Sequence, residues 1–170
     1  MTASRTSTNL AGPAIGPPLT PGMPAPAFDL RDSPYSRVSL ADLRGRPVVI
    51  AFHVADWHPV AAAQLARLEA LLPELGRLSA SVVAISTDAT WSHDAFARAH
   101  GLTFPLLADD EPPGSVARAY GLFVPRTGRS RRALVVVDAE GVVRWSASVP
   151  DAVEPDVEGV LSTLELLLGE

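Results

Sequence analysis

Three side chains that can exchange protons lie close together in the stretch AFHVADWHPVAAAQL, residues 51–65. They are His53, Asp56 and His58. Imidazole groups change charge near neutral pH, so either histidine can act as a general acid or base. Two imidazoles and one carboxylate are also the ligand types of many catalytic metal sites. Because the spacing matches no specific metal-binding signature, we predict no metal and no cofactor. A metal site built from these three residues is kept as an alternative.

The amino-acid composition limits the chemistry further. The chain has no cysteine, and all 14 of its basic residues are arginine. A disulfide, a thiolate nucleophile, a zinc–sulfur site, an iron–sulfur cluster and a lysine Schiff base are therefore excluded. Any catalysis by this chain must use nitrogen or oxygen atoms.

The candidate residues follow a continuous apolar run, PVVIAFHV at 47–54, which is typical of a central strand covered on both faces. A helix is predicted over 59–76, with Pro59 in its first turn and Gly76 as its C-terminal cap. The elements predicted after it are a strand over 81–87, a helix from the N-cap Ser92 to Gly101, a hairpin of RALVVVD and VVRWSAS, and an amphipathic helix over 156–168. This order predicts an α/β fold of the thioredoxin-like type, a three-layer α/β/α sandwich around a mixed sheet.

The length suggests one domain, which we place at residues 23–170 of the 170-residue chain. Residues 1–22 are rich in Thr, Ser, Pro and Gly, which favours a flexible or extended N-terminal arm. The net charge of −5 argues against a nucleic-acid partner. The arm has no continuous apolar segment typical of a secretory signal, and no apolar run is long enough to span a bilayer. We therefore expect a cytoplasmic protein without a membrane partner.

Five stretches together resemble the peroxiredoxin family, in particular its AhpC/TSA-type redoxins. They lie in the family's order between about residues 38 and 145, and they read VSLADLRGRPVVIAFHVADWHPV, VVAISTDATWSHDAF, GLTFPLLAD, VARAYGL and RALVVVDAEGVVRW. The resemblance implies the thioredoxin-like fold for most of the chain. It also implies a homodimer.

The same resemblance implies where the family's reactive groups would lie. The peroxidatic signature Pro-x-x-x-Thr/Ser-x-x-Cys falls on Val54, His58 and Ala61, so all three defining positions differ. Arg132 matches the family's active-site arginine. Residues that many members share are Trp57, Pro59, Val60 and Gln64. Because alanine cannot form a sulfenic acid, the chain as written is not a thiol peroxidase.

We predict two catalytic residues at this position. His58 would act as an acid or base, and Arg132 would present its planar fork to an oxyanion. His58 has the alternative role of hydrogen-bonding the first helical turn. The residues predicted to bind the ligand are His53, Asp56, Trp57 and Gln64, and His53 also fits as a packed ring. The residues around His93 are assigned to shaping the second helix or a dimer contact.

The leading hypothesis is a repurposed redoxin whose former peroxide pocket binds a small polar or anionic molecule. Catalysis there would be non-thiol and would use His58. One alternative is a non-catalytic homologue that binds a partner through the family's dimer surface. The other is a Cys-to-Ala variant of a thiol peroxidase. The sequence leaves all three open, including whether the chain is an enzyme.

Overall fold

A computed structural model describes residues 14–150 and 156–170. The strands of the described residues are β1 Asp29–Ser33, β2 Ser36–Ser39, β3 Val48–Phe52, β4 Ser81–Ser86, β5 Leu106–Ala108, β6 Phe123–Val124, β7 Arg129–Ser130, β8 Arg132–Val137 and β9 Val143–Val149. The helices are α1 Pro59–Arg77, α2 Thr90–His100, α3 Ser115–Ala119 and α4 Val157–Leu168, and a 3₁₀ turn covers Ala41–Leu43.

The main sheet has seven strands in the order β2-β1-β5-β4-β3-β8-β9. Strand β3 runs parallel to β4 and antiparallel to β8, so the sheet is mixed. All five residues of β3 are buried, as the continuous apolar run predicts for a strand covered on both faces. The prediction of a thioredoxin-like sandwich around a mixed sheet is confirmed.

Two hydrophobic cores cover the two faces of the sheet. One contains apolar residues of α1, α2 and α4, among them Leu65, Phe96 and Leu164. The other packs beneath α3 and the N-terminal segment and includes Tyr120 and Phe28. Helix α1 therefore lies firmly on one face, and its first turn is held at the end of β3.

The ends of two helices differ from the prediction. Helix α2 begins at Thr90 after the extended residue Ala89, two residues before the predicted cap Ser92. Helix α1 continues past Gly76 and ends at Arg77. The predicted end of α2 is confirmed, because Gly101 has a φ of 63°, in the left-handed region that favours glycine.

Part of the predicted N-terminal arm packs on the domain. Residues 1–13 lie outside the described residues, whereas Gly16 donates its N–H to the carbonyl of Arg118 at 2.8 Å. Leu19 is buried in the core beneath α3, and Gly22 donates to the carbonyl of Val143 at 2.7 Å. Backbone hydrogen bonds and one buried side chain thus attach residues 16–22 to the sandwich. Within the described residues, no helix has the length and apolar character needed to cross a bilayer.

Candidate functional site

The candidate site lies where three neighbouring elements meet. Strand β3 ends at Phe52, and His53 directly after it donates its backbone N–H to the carbonyl of Ile85 in β4 at 3.1 Å. On the other side of β3, Phe52 pairs with Ala133, so Arg132 at the start of β8 lies at the same end of the sheet. Helix α1 begins six residues after His53.

The loop between β3 and α1 is held in an uncommon conformation. Trp57 has a φ of 66°, which a side chain with a Cβ rarely adopts and which costs about 1–3 kcal/mol. The preceding residue, Asp56, donates its backbone N–H to the Asp88 carboxylate at 2.8 Å, and its own side chain is buried. The turn at Trp57 thus directs Asp56 inward and brings His58 to the start of α1.

His58 is the N-cap of α1. Its Nδ1 accepts the backbone N–H of Val60 at 3.3 Å, which is the alternative role considered for this residue. Because Nδ1 is an acceptor here, the ring proton of neutral His58 lies on Nε2. Only Nε2 is left to exchange a proton with another molecule.

Ala61 and Arg132 are both fully buried. Ala61 lies in the first turn of α1, and Gln64 follows it three residues later on the same helix. Arg132 Nη1 donates to Gln64 Oε1 at 3.1 Å, while Gln64 Nε2 donates to the carbonyl of Phe52 at 3.4 Å. Gln64 therefore joins the guanidinium of Arg132 to α1 and to the end of β3.

A second polar cluster lies beside these residues and consists of His53, Asp56 and His93, which we call the His–Asp–His cluster. His53 Nε2 lies 2.8 Å from Asp56 Oδ1, and His93 Nδ1 lies 2.8 Å from Asp56 Oδ2. The other ring nitrogen of His93, Nε2, lies 3.1 Å from the carbonyl of Leu107 in β5. All three residues are buried.

Burial and hydrogen bonding oppose each other in this cluster. Burial alone would raise the pKa of the Asp56 carboxyl, but its hydrogen bonds with His53 and His93 outweigh burial and hold this pKa well below its usual range. For His53, burial dominates and lowers the pKa despite the contact with Asp56. Asp56 is therefore an anion between two imidazoles, and His53 is neutral at pH 7.

Aromatic rings cover the His–Asp–His cluster. The His53 ring stacks on Phe96 with ring centroids 6.4 Å apart. Trp57 meets the same phenyl ring edge-on at 5.4 Å, and its own side chain remains 55% exposed. This cover shields the cluster from water on the Trp57 side.

Residues 21–146 match the AhpC/TSA family. The chain belongs to this family. It is 35% identical over 129 residues to alkyl hydroperoxide reductase E of Mycobacterium tuberculosis, which covers 75% of this chain and 84% of that relative. It is 29% identical over 160 residues to a thioredoxin peroxidase of Fasciola hepatica, covering 88% and 81% of the two chains. The crystal structure of AhpC from Enterococcus faecalis is similar with a TM-score of 0.78 at 26% identity, over 86% of this chain and 90% of that one.

Family membership confirms the resemblance inferred from the sequence. This AhpC/TSA family member has no cysteine at Ala61 or at any other position. A reaction that runs through a cysteine thiolate therefore has no reactive atom in this chain.

The structure brings the predicted residues together in two groups. Gln64 contacts Arg132, and His53 contacts Asp56. The alternative metal site of His53, Asp56 and His58 is wrong in one residue. Among the described residues, His93 and not His58 lies with His53 and Asp56. Sequence reasoning missed His93 because it is 37 residues from Asp56. The sequence feature that could have identified His93 is its three-residue spacing to Phe96, which places both side chains on the buried face of α2.

Proposed function

We propose that this AhpC/TSA family member binds a small polar or anionic molecule beside Ala61 in place of reducing peroxide. The observation that supports this most is the presence of two sources of positive potential at one end of the sheet. One is the N-terminus of the 19-residue helix α1, which has no acidic residue in its first turn. The other is the buried guanidinium of Arg132.

Each predicted site residue has a role in this proposal. Arg132 binds the anion through its planar fork, and Gln64 orients that fork through its amide oxygen. His58 acts as acid or base through Nε2, a role that typically contributes 10²–10⁴ in rate. Trp57 borders the ligand, and His53 with Asp56 forms the polar wall behind it. A homodimer and a cytoplasmic location complete the proposal.

A titration with simple anions tests the binding site. Acetate, succinate, phosphate and sulfate are added to the protein, and the melting temperature and the heat of binding are measured. A ligand that binds only the folded state raises the melting temperature by mass action. We expect at least one of these anions to do so, and we expect Arg132→Met to weaken its binding about 10–100-fold, the loss of one charged hydrogen-bonding partner.

Matched variants separate the site from a general charge effect. Arg131→Met removes the neighbouring exposed guanidinium and should leave binding unchanged. If Arg132→Met does not fold, Gln64→Leu keeps the charge of Arg132 but removes the oxygen that orients it, and should weaken binding. Binding that persists in both His58→Ala and Arg132→Met would overturn the proposal, and so would the absence of binding by all four anions.

A further inference from the structure

We propose that the His–Asp–His cluster binds one divalent transition-metal ion of the kind that takes imidazole and carboxylate ligands, such as Zn²⁺ or Fe²⁺. The observation that supports this proposal most is the short distance between three buried ligand atoms. His53, Asp56 and His93 each offer one such atom, and these atoms lie within 4.8 Å of one another. This inference does not rest on the anion site at Arg132, and the two can fail separately.

The ligand types and their number agree with a metal centre. Two histidines and one carboxylate with open positions form the ligand set of many non-haem iron sites, and three protein ligands plus water are usual for catalytic zinc. An ion about 2.0–2.2 Å from each ligand atom needs those atoms about 3–3.5 Å apart. The two contacts to Asp56 are 2.8 Å long and use different carboxylate oxygens, and all the ligand atoms lie within 4.8 Å of one another, so a modest approach of the two ring nitrogens is enough for one ion to bind all three residues.

The orientation of His93 is that of a metal ligand. Its Nε2 faces the carbonyl of Leu107, which accepts hydrogen bonds only, so Nε2 carries a proton. Metal-binding histidines usually donate their second ring N–H to a carbonyl or carboxylate in this way, which fixes the ring and the tautomer. The lone pair of Nδ1 is then free to face inward, toward Asp56.

The contact between His93 and Asp56 requires a positive centre. With Nε2 protonated, neutral His93 and the Asp56 carboxylate would direct two lone pairs at each other across 2.8 Å. Either a second ring proton or a metal ion must lie between them. A proton on His93 Nδ1 would satisfy this contact alone, because His53 already directs its Nε2 at Asp56, whereas a metal ion would bind the ligand atoms of all three residues.

His53 gives independent support. Its Nδ1 is fully buried and has no hydrogen-bond partner among the described residues. A buried polar atom without a partner costs about 1–3 kcal/mol, so an apolar ring would pack here at lower cost. Retention of an imidazole is explained if its other nitrogen serves as a ligand.

The charges around the cluster favour a cation. Asp88 accepts the backbone N–H of Asp56 and the hydroxyl of Ser86, at 2.8 and 2.7 Å. It therefore holds a second carboxylate behind the first. Asp88 also forms an ion pair with Arg129 at 3.5 Å, so it offsets only part of the charge of a divalent ion, and Asp56 supplies the charge of the ligand itself.

Metal titration of the full chain tests the inference. Protein dialysed against EDTA is titrated with Zn²⁺ by calorimetry and with Co²⁺ by visible absorption, which reports the ligand field. Because the chain has no cysteine, no thiolate contributes to the Co²⁺ spectrum. We expect one ion per chain, micromolar or tighter affinity, and a higher melting temperature with the ion bound.

Asp56→Asn is the informative variant because it should preserve the fold. Its amide oxygen can accept the His53 Nε2–H, and its NH₂ group can donate to His93 Nδ1, so the hydrogen bonds remain satisfied. Only the anionic ligand is lost, and affinity should fall at least 100-fold. His93→Gln should have the same effect on affinity.

His100→Ala is the matched control, since it removes an exposed histidine at the end of α2 outside the cluster. It should bind the ions as the wild type does. The inference is overturned if neither ion binds with a dissociation constant below 1 mM. It is equally overturned if Asp56→Asn, shown by circular dichroism to be folded, binds as tightly as the wild type.

Discussion

At the scale of single residues, Ala61 decides which chemistry is absent from this family member. Its Cβ is buried in the first turn of α1, close along the helix to Gln64 and so to Arg132. A helix N-terminus and a nearby guanidinium both stabilise a thiolate. A cysteine at this position would therefore be ionised more readily than a free thiol.

This argument predicts the behaviour of Ala61→Cys. The pKa of the new thiol should lie below about 8.5, the value of a free cysteine, which an absorbance titration of the thiolate measures. Its rate of peroxide consumption should nevertheless not exceed that of a free thiol of equal pKa, because Val54 and His58 still replace the family's proline and hydroxyl residue. Fast turnover by the single variant would instead indicate an intact peroxidase site that lacks only its sulfur.

The sequence was enough to name most of the candidate site residues, but not the contacts between them. Family resemblance located Arg132 and Gln64, whose hydrogen bond joins two elements 68 residues apart. The contacts of His53 and His93 with Asp56 depend on how α2 packs beside the end of β3. Local sequence patterns do not predict distances between separate elements. His58 was correctly placed at the start of α1 because Pro59 marks the first helical turn.

At the scale of secondary-structure elements, two helical glycines should respond in opposite directions to alanine. Alanine in a helix interior is ordinarily favoured over glycine by about 1 kcal/mol. Among the described residues, apart from its chain neighbours and the backbone of its own helix, Gly76 in α1 has no atom within 4 Å of the Cβ it would gain, so Gly76→Ala should stabilise the fold by about 0.5–1 kcal/mol. At Gly159 in α4 the added Cβ would lie 2.4 Å from Trp145 Cζ2, and such overpacking costs about 1–3 kcal/mol.

Urea unfolding of both variants measures whether each substitution raises or lowers the unfolding free energy. Gly159→Ala should have a lower unfolding free energy than the wild type, although its helix propensity is higher. Equal stabilisation by both substitutions would mean that α4 does not pack on Trp145 as described. Each variant serves as the other's control for propensity.

The elements themselves were largely predictable, and their ends less so. The apolar run of β3 and the spacing of leucines in α1 are strong patterns because each buries a continuous face. The predicted start of α2 was wrong because Ala89 caps this helix without any side-chain hydrogen bond. Ser92 has a side chain typical of an N-cap but lies inside the helix. The burial of Leu19 depends on tertiary contacts, which the composition of a Pro-rich segment does not predict.

At the scale of the whole molecule, the absence of lysine and cysteine makes alkaline stability depend on few groups. Arginine stays charged well above pH 11, so tyrosine, with an ordinary pKa of about 10, is the side-chain type of this chain that matters for alkaline stability. Tyr35 is 96% exposed, whereas Tyr120 is buried and donates its hydroxyl to the carbonyl of Pro26 at 2.8 Å. Burial raises the pKa of Tyr120 above its usual value of 10.0.

A raised pKa in the folded state fixes the sign of the pH dependence. The stability contributed by neutral Tyr120 is fully present below about pH 10, where the tyrosine of the unfolded chain is also protonated, and is lost as the pH rises toward the folded-state pKa. Above pH 10 the unfolding free energy should therefore fall by up to about 1.4 kcal/mol per pH unit. Tyr120→Phe should be about 1 kcal/mol less stable than the wild type at pH 9, for the lost hydrogen bond, and should lack this slope.

Urea unfolding at intervals from pH 9 to pH 11 measures this slope in three proteins. The wild type and Tyr35→Phe should lose stability in parallel, because the exposed ring of Tyr35 is in water in both states. The difference between the wild type and Tyr120→Phe should shrink as the pH rises and vanish near pH 11. An equal slope in Tyr120→Phe would show that a group other than this buried phenol sets the alkaline limit. The hydrogen bond from Tyr120 to the carbonyl of Pro26 would then not be the contact whose loss limits stability at high pH.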